Sequence, residues 1–167
     1  MGHRRTFLLL VLFFSLHNVE EAIFGLPAWM VEHWSNGRQI DAATFHLALV
    51  LITVLAWLVY LWFRAGQRVP VRFWVAGLVA SVLLTNSLGH IGYSIITHSL
   101  MPGVLSASLL MGPVSMVVFV HCTQRLTLSV SYRLLLFAGG VVLHFALILT
   151  VVSLAGIAVD ENLLPAR

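Results

Sequence analysis

The sequence predicts an all-α fold, a polytopic membrane bundle with five transmembrane helices and a cytoplasmic N-terminus. The chain is 60% hydrophobic and only 9% charged, and its mean hydropathy of +0.99 lies far outside the range of soluble proteins. It contains five apolar runs of about 20 residues, each long enough to cross about 30 Å of hydrocarbon. At this length we expect residues 1–167 to form a single integral membrane domain.

The five predicted spans are separated by short joins that are polar or contain arginine, proline and glycine. The join between the third and fourth spans is very short, which predicts a tight antiparallel hairpin around Pro102 and Gly103. The predicted spans cover residues 6–27, 42–63, 73–97, 104–122 and 134–157.

The first apolar run has a second interpretation. Arg4 and Arg5 followed by the apolar stretch from Phe7 to Leu16 are also typical of a secretory signal peptide. No A-x-A cleavage site follows, however, and apolar residues resume after Glu21. We therefore interpret this run as a membrane span. Under the alternative, the polar cluster described below would be removed with the peptide.

The arginines predict the orientation of the bundle. The chain has nine arginines and no lysine, and in a five-span topology seven of the nine lie on one side. The positive-inside rule places that side, with the N-terminus, in the cytoplasm. We interpret the positive charge as this topology signal and predict no nucleic-acid partner. The seven arginines are Arg4, Arg5, Arg64, Arg68, Arg72, Arg125 and Arg133; Arg38 and Arg167 fall on the other side.

The first span contains three ionisable residues, His17, Glu20 and Glu21. Because a buried carboxylate costs several kcal/mol in a membrane, such a group indicates a functional site. Glu20 and Glu21 follow His17 by three and four positions, so on a helix both carboxylates project near the imidazole. At about 1.5 Å per residue, this group lies roughly 17–23 Å above the cytoplasmic surface.

The third span brings a second polar group to the same depth. Asn86 and His90 are four positions apart, share a helix face, and lie roughly 20–26 Å above the cytoplasmic surface. We therefore predict that both join the cluster of the first span. His46, Tyr93 and His144 lie within reach of it, and interhelical hydrogen bonding is the alternative role for such residues.

The string His17-Asn18-Val19-Glu20-Glu21 resembles the signature of the HXXEE family, a group of prokaryotic integral membrane proteins of unknown function. Members carry this motif in the first span, a further histidine downstream, which His90 matches, and a Pro-Gly turn. The resemblance covers about residues 10–155 and implies an enzyme in the prokaryotic cytoplasmic membrane. The family turn has a tyrosine two positions before Pro-Gly, where this chain has Leu100, so the role of that tyrosine is not carried over unless Tyr93 supplies it.

One hypothesis is acid–base chemistry on a lipid or isoprenoid-like substrate, such as isomerisation, cyclisation or hydrolysis. Two carboxylates in a low dielectric repel each other, so one keeps its proton while the other is ionised. Glu20 and Glu21 then supply an acid and a base, His17 orients or relays, Asn86 binds the substrate and His90 is a second base. This chemistry needs no cofactor.

A second hypothesis is a single iron or zinc site. His17, His90 and one of the two glutamates provide two imidazoles and a carboxylate, a ligand set that suits either metal. With His46 or His144 and the second glutamate, the set extends to two metals. The spacing differs from the H-E-x-x-H motif of zinc proteases.

A third hypothesis is a non-enzymatic ligand-binding or assembly subunit. Transporters usually show internal repeats or broken helices. No repeat is evident in the sequence, which argues against a transporter. The expected partners are membrane lipid or an apolar small molecule, and association into a homo-oligomer is compatible with a bundle of this size.

Overall fold

The computed structural model describes residues 3–33, 41–65 and 69–160, and all regular structure in these ranges is helical. Arg38, Arg68 and Arg167, which entered the topology prediction, lie outside the described residues. The helices are α1 (His3–Phe24), α2 (Leu26–His33), α3 (Ala42–Ala65), α4 (Val69–Ile96), α5 (Val104–Ser106), a π-helical turn (Ala107–Met111), α6 (Gly112–Arg125) and α7 (Val130–Asp160).

Five helical segments of the described ranges are long and apolar enough to cross a membrane, which confirms the predicted fold class. The largest difference at a boundary is at the fifth span, where the helix is several residues longer than the predicted 134–157. The segments are Arg4–Phe24, Ala42–Ala65, Pro70–Ile96, Val104–Arg125 and Val130–Val159.

The first span ends at Phe24, three residues before the predicted limit. Gly25 has a φ of 69°, a left-handed conformation that stops the helix and that glycine adopts at little cost. The chain then continues as the short helix α2. The indole Nε1 of Trp29 donates a hydrogen bond of 2.6 Å to Ser99 Oγ, so α2 is tied to the turn that follows α4.

Asp41 caps the N-terminus of α3. Its carboxylate accepts hydrogen bonds from the hydroxyl and the backbone N–H of Thr44, which satisfies a donor that the first helical turn leaves free. These hydrogen bonds lower the pKa of Asp41 below its ordinary value. Since α3 begins where the sequence changes from polar to apolar, the cap also defines the start of the second span.

Pro102 and Gly103 form the predicted hairpin between the third and fourth spans. Gly103 has a φ of 93°, and Met101 N donates a hydrogen bond of 3.0 Å to Ser94 Oγ across the turn. The fourth span then contains the π-helical turn. Pro113 explains it, because proline has no N–H to donate to the carbonyl four residues earlier.

Helix α4 lies at the centre of the bundle, with its largest contacts on α6 and α7, while α1 packs on α3 and on the fourth span. The core-facing stripe of α1 follows helical spacing through Phe7, Leu10, Val11 and Phe14, all of which are buried. Continued by one more turn, the same stripe reaches His17. The fold therefore directs His17 and Glu21 of α1 into the bundle and away from lipid.

Candidate functional site

The core stripes of α1 and α4 both change from apolar to polar towards the same end of the bundle. On α1 the stripe continues into His17 and Glu21, and on α4 it continues from Leu83 through Ser87 to His90. The residue exposures are 0% for His17, 6% for Glu21 and 3% for His90. The site is therefore closed to solvent and lies between two helices that pack in the core.

The turn before α5 holds the imidazole of His17. Nδ1 of His17 lies 3.0 Å from the carbonyl oxygen of Gly103 and 3.1 Å from Ser106 Oγ, and the Ser106 hydroxyl in turn donates to the same carbonyl at 3.2 Å. A carbonyl oxygen only accepts, so Nδ1 carries the proton and donates it. In neutral His17 the lone pair is therefore on Nε2, which faces Glu21.

Glu21 lies between the two histidines and uses one oxygen for both. Its Oε1 is 3.3 Å from Nε2 of His17 and 3.0 Å from Nε2 of His90. The two rings meet edge to face, with centroids 4.6 Å apart. Each of the three residues offers a ligand atom within 4.8 Å of the others, the only such group of three or more metal-ligating side chains in the described parts of the chain.

One further polar side chain borders this cluster, and one polar atom inside the cluster has no partner. Nδ2 of Asn86 lies 2.9 Å from Nε2 of His17, and an amide in this place presents either its N–H or its oxygen to the cluster. Nδ1 of His90 is buried and has no hydrogen-bond partner among the described residues. A buried polar atom without a partner is costly, and it marks a position where a ligand or water would be stabilised.

Glu20 has partners of its own, separate from those of Glu21. Its carboxylate accepts hydrogen bonds from the backbone N–H groups of Leu105 at 3.2 Å and Ser106 at 2.8 Å. These are free donors at the start of α5, so Glu20 caps that helix from the neighbouring span. Adjacent positions on α1 point in different directions, which is why the two carboxylates do not share partners.

Replacing Glu20 with alanine is expected to lower the free energy of unfolding by about 1.5–3 kcal/mol, the range for a hydrogen bond to a charged group. Two backbone N–H groups of α5 lose their acceptor, and α1 loses a link to the fourth span. The measurement is thermal unfolding in detergent. Glu32→Ala, at an exposed position of α2, is the control and should leave the midpoint unchanged; equal effects of both substitutions would contradict the capping role.

The structure brings together His17, Glu21, Asn86 and His90 from the predicted set, with Glu20 beside them. His144 on α7 is half-buried and close enough to interact electrostatically with His90 and Glu21, but it is not part of the converging group. His46 is exposed on α3 and is not part of that group either. Tyr93 is 41% exposed on α4.

The sequence did not indicate that Gly103 and Ser106 contact His17. The signal in the sequence is the Pro102-Gly103 pair, which predicts a turn but not its contact with His17. A Cβ on Gly103 would lie 2.7 Å from Cε1 of His17 and 2.9 Å from Cε1 of His90, so this glycine also leaves the space that both imidazoles occupy. By contrast, nothing lies within 4 Å of a Cβ built on Gly89 or Gly92, so these two glycines are not needed for close helix packing.

Comparisons with known proteins agree with the motif. The family model described as "protein of unknown function with HXXEE motif" matches residues 8–118, about two thirds of the chain. Uncharacterized protein YrkK of Bacillus subtilis (strain 168) is 30% identical over 105 residues, which cover 62% of this chain and 66% of the relative, just under two thirds of its length. No solved structure is significantly similar to this chain. The chain belongs to the HXXEE family, whose motif supplies His17, Glu20 and Glu21 to the site.

Proposed function

We propose that this chain is a metal-binding membrane protein in which His17, Glu21 and His90 hold one zinc or iron(II) ion. The observation that carries the proposal is the convergence of their ligand atoms within 4.8 Å inside the bundle. Two imidazoles and one carboxylate are a common ligand set for catalytic zinc and for non-haem iron(II).

The proton on His17 supports this assignment. Nδ1 donates to Gly103, so in a neutral ring the unprotonated Nε2 points towards Glu21 Oε1 at 3.3 Å. At that distance the two lone pairs repel unless a proton or a cation lies between or beside them. A divalent cation supplies that charge and also neutralises the buried carboxylate.

The surrounding contacts match those that orient ligands in metal sites. Metal-binding histidines usually donate their second N–H to a backbone carbonyl or carboxylate, which fixes the tautomer and the ring. The bond from His17 to Gly103 does this here. The amide oxygen of Asn86 is a candidate fourth ligand. An ion held by these residues would act as a Lewis acid.

The first experiment is elemental analysis of the protein purified in mild detergent without chelator. We expect about one zinc or iron per chain in the wild type. Glu21→Gln should lower metal affinity by more than about 100-fold, because loss of a direct ligand exceeds the 10–100-fold cost of losing an outer contact. Cobalt(II) loading provides a visible spectrum that reports the ligand geometry independently.

Glu20→Gln is the matched control. It removes the neighbouring carboxylate, whose oxygens bind backbone N–H groups, and we expect it to keep the metal. The proposal is wrong if the wild type binds neither zinc nor iron(II) after reconstitution, or if Glu20→Gln and Glu21→Gln lose metal equally.

A second candidate function is proton transfer on an apolar, lipid-like substrate. It is favoured by one observation, the contact of both histidines with the same oxygen of Glu21. Through that oxygen a proton can pass between His17 and His90 without leaving the buried site. The apolar core that surrounds the cluster would suit an isoprenoid or acyl substrate.

Deuterium exchange tests the second candidate. The protein is incubated with a membrane lipid extract in D₂O and a chelator, and lipid masses are then measured. Carbon-bound deuterium that appears with wild-type protein and is absent with Glu21→Gln would support metal-free proton transfer. Equal labelling in both samples would exclude it.

We also propose that the N-terminus is cytoplasmic and that the protein lies in the cytoplasmic membrane of a prokaryote. The arginines of the described residues lie at the end of the bundle where α1 and α4 begin. Described acidic residues lie towards the other end, at Glu20, Glu21, Glu32 and Asp41. A reporter enzyme that is active only on the outer side of the membrane should therefore be active when it is fused to the C-terminus.

A further inference from the structure

We propose that the bundle binds one anionic phospholipid at the end opposite the His–Glu cluster, with an acyl chain in an apolar cavity and the phosphate at Arg72. The cavity has a volume of about 230 Å³ and lies between α1, α3, α4 and α6. Its lining includes Phe7, Phe63, Phe73, Ala76, Val118 and Cys122. This proposal does not depend on metal binding.

Arginines lie close in sequence to the cavity lining on every helix that forms it. Each of the four helices that line the cavity carries an arginine within four residues of a lining position, and all of these arginines lie at the same end of the bundle. They are Arg4 and Arg5 on α1, Arg64 on α3, Arg72 on α4 and Arg125 on α6.

Within residues 3–33, 41–65 and 69–160, no arginine forms an ion pair with a carboxylate. The guanidinium of Arg72 lies 6.0 Å from the ring centroid of Phe63, a cavity-lining residue, and its buried Nε has no hydrogen-bond partner in those ranges. An anion at the cavity mouth would supply the missing acceptor.

The chemistry of the two parts specifies the ligand. An apolar cavity inside a membrane bundle takes a hydrocarbon chain, and an arginine beside it takes a phosphate. Basic pockets between membrane helices on the cytoplasmic side bind anionic lipid head groups in the same way. A diacyl phospholipid with net negative charge carries both groups on one molecule.

The test is native mass spectrometry of the delipidated protein with phosphatidylglycerol or phosphatidylcholine. We expect one tightly bound phosphatidylglycerol. Arg72→Gln should lower the affinity for this lipid about fivefold, which is the effect of one cationic side chain at a membrane surface. Arg133→Gln is the matched control: Arg133 lies at the same end of the bundle, on α7, which does not line the cavity. It should leave binding unchanged.

Val117→Phe tests the cavity. Val117 lines the cavity and is 57% exposed, so a larger side chain there fills space without disturbing the core. We expect it to weaken phosphatidylglycerol binding while thermal unfolding stays the same. Equal affinity for the two lipids, equal loss in Arg72→Gln and Arg133→Gln, or full competition by inorganic phosphate would each overturn the proposal.

Discussion

Gly103→Ala is expected to disrupt the His17–Glu21–His90 cluster and to cost about 2–4 kcal/mol of stability. A Cβ at this position would lie 2.7 Å from His17 Cε1, 2.9 Å from His90 Cε1 and 3.0 Å from Glu21 Cγ. One added methyl group therefore collides with all three side chains of the cluster. The φ of 93° adds backbone strain, since residues other than glycine rarely adopt this backbone angle.

Metal content and thermal unfolding measure this effect together. We expect bound metal to fall by at least about tenfold, because ligand atoms must stay within about 0.5 Å of their productive positions. Gly25→Ala separates the two causes: Gly25 also has a positive φ, 69°, but nothing lies within 4 Å of its Cβ position. If Gly25→Ala and Gly103→Ala reduce the metal equally, the collision is not the cause.

The second large effect is expected from Gly140→Ala, which should destabilise the whole bundle. A Cβ on Gly140 would lie 2.2 Å from Ser81 Cβ and 3.0 Å from the Ser81 carbonyl carbon. Since backbone atoms of α4 are involved, α7 must move away from the central helix. Overpacking of this kind costs about 1–3 kcal/mol, which outweighs the gain of up to about 1 kcal/mol from replacing glycine inside a helix.

The neighbouring glycine is a control for this substitution. A Cβ on Gly139 would meet its nearest atom, Leu78 Cδ1, at 3.9 Å, an ordinary contact. Gly139→Ala therefore changes helix propensity alone and should leave the unfolding midpoint the same or raise it. The expected result is a lower midpoint for Gly140→Ala only, measured by thermal unfolding in detergent. A midpoint for Gly140→Ala at or above the wild-type value would show that α4 and α7 do not pack at this point.

Hydropathy and helical spacing predict most of this fold and part of the candidate site. The five spans follow from the lengths of the apolar runs, and the structure confirms them. His17 and Glu21 are four positions apart and so share a face. Depth then predicts Asn86 and His90 as neighbours, and the structure places both in contact with the residues of α1.

The remaining contacts depend on backbone geometry that spacing does not encode. Glu20 contacts backbone N–H groups at the start of α5, and that start exists because Gly103 takes a left-handed conformation. The same turn aims its carbonyl at His17. A Pro-Gly pair predicts that the chain turns, but it does not predict which side chain the turn will contact.

The sequence distance between the two halves of the site has a consequence for biosynthesis. α1 is synthesised before α4 and α5 and carries two glutamates, whereas the N–H groups that bind Glu20 come 85 and 86 residues later. Until α4 and α5 have been made, the first span must enter or wait at the membrane while Glu20 lacks its N–H partners and Glu21 lacks its contact with His90, and each carboxylate opposes insertion. Stable insertion of α1 therefore depends on the arrival of the third and fourth spans, and a nascent chain that ends before residue 103 should leave its first span exposed to quality-control proteases.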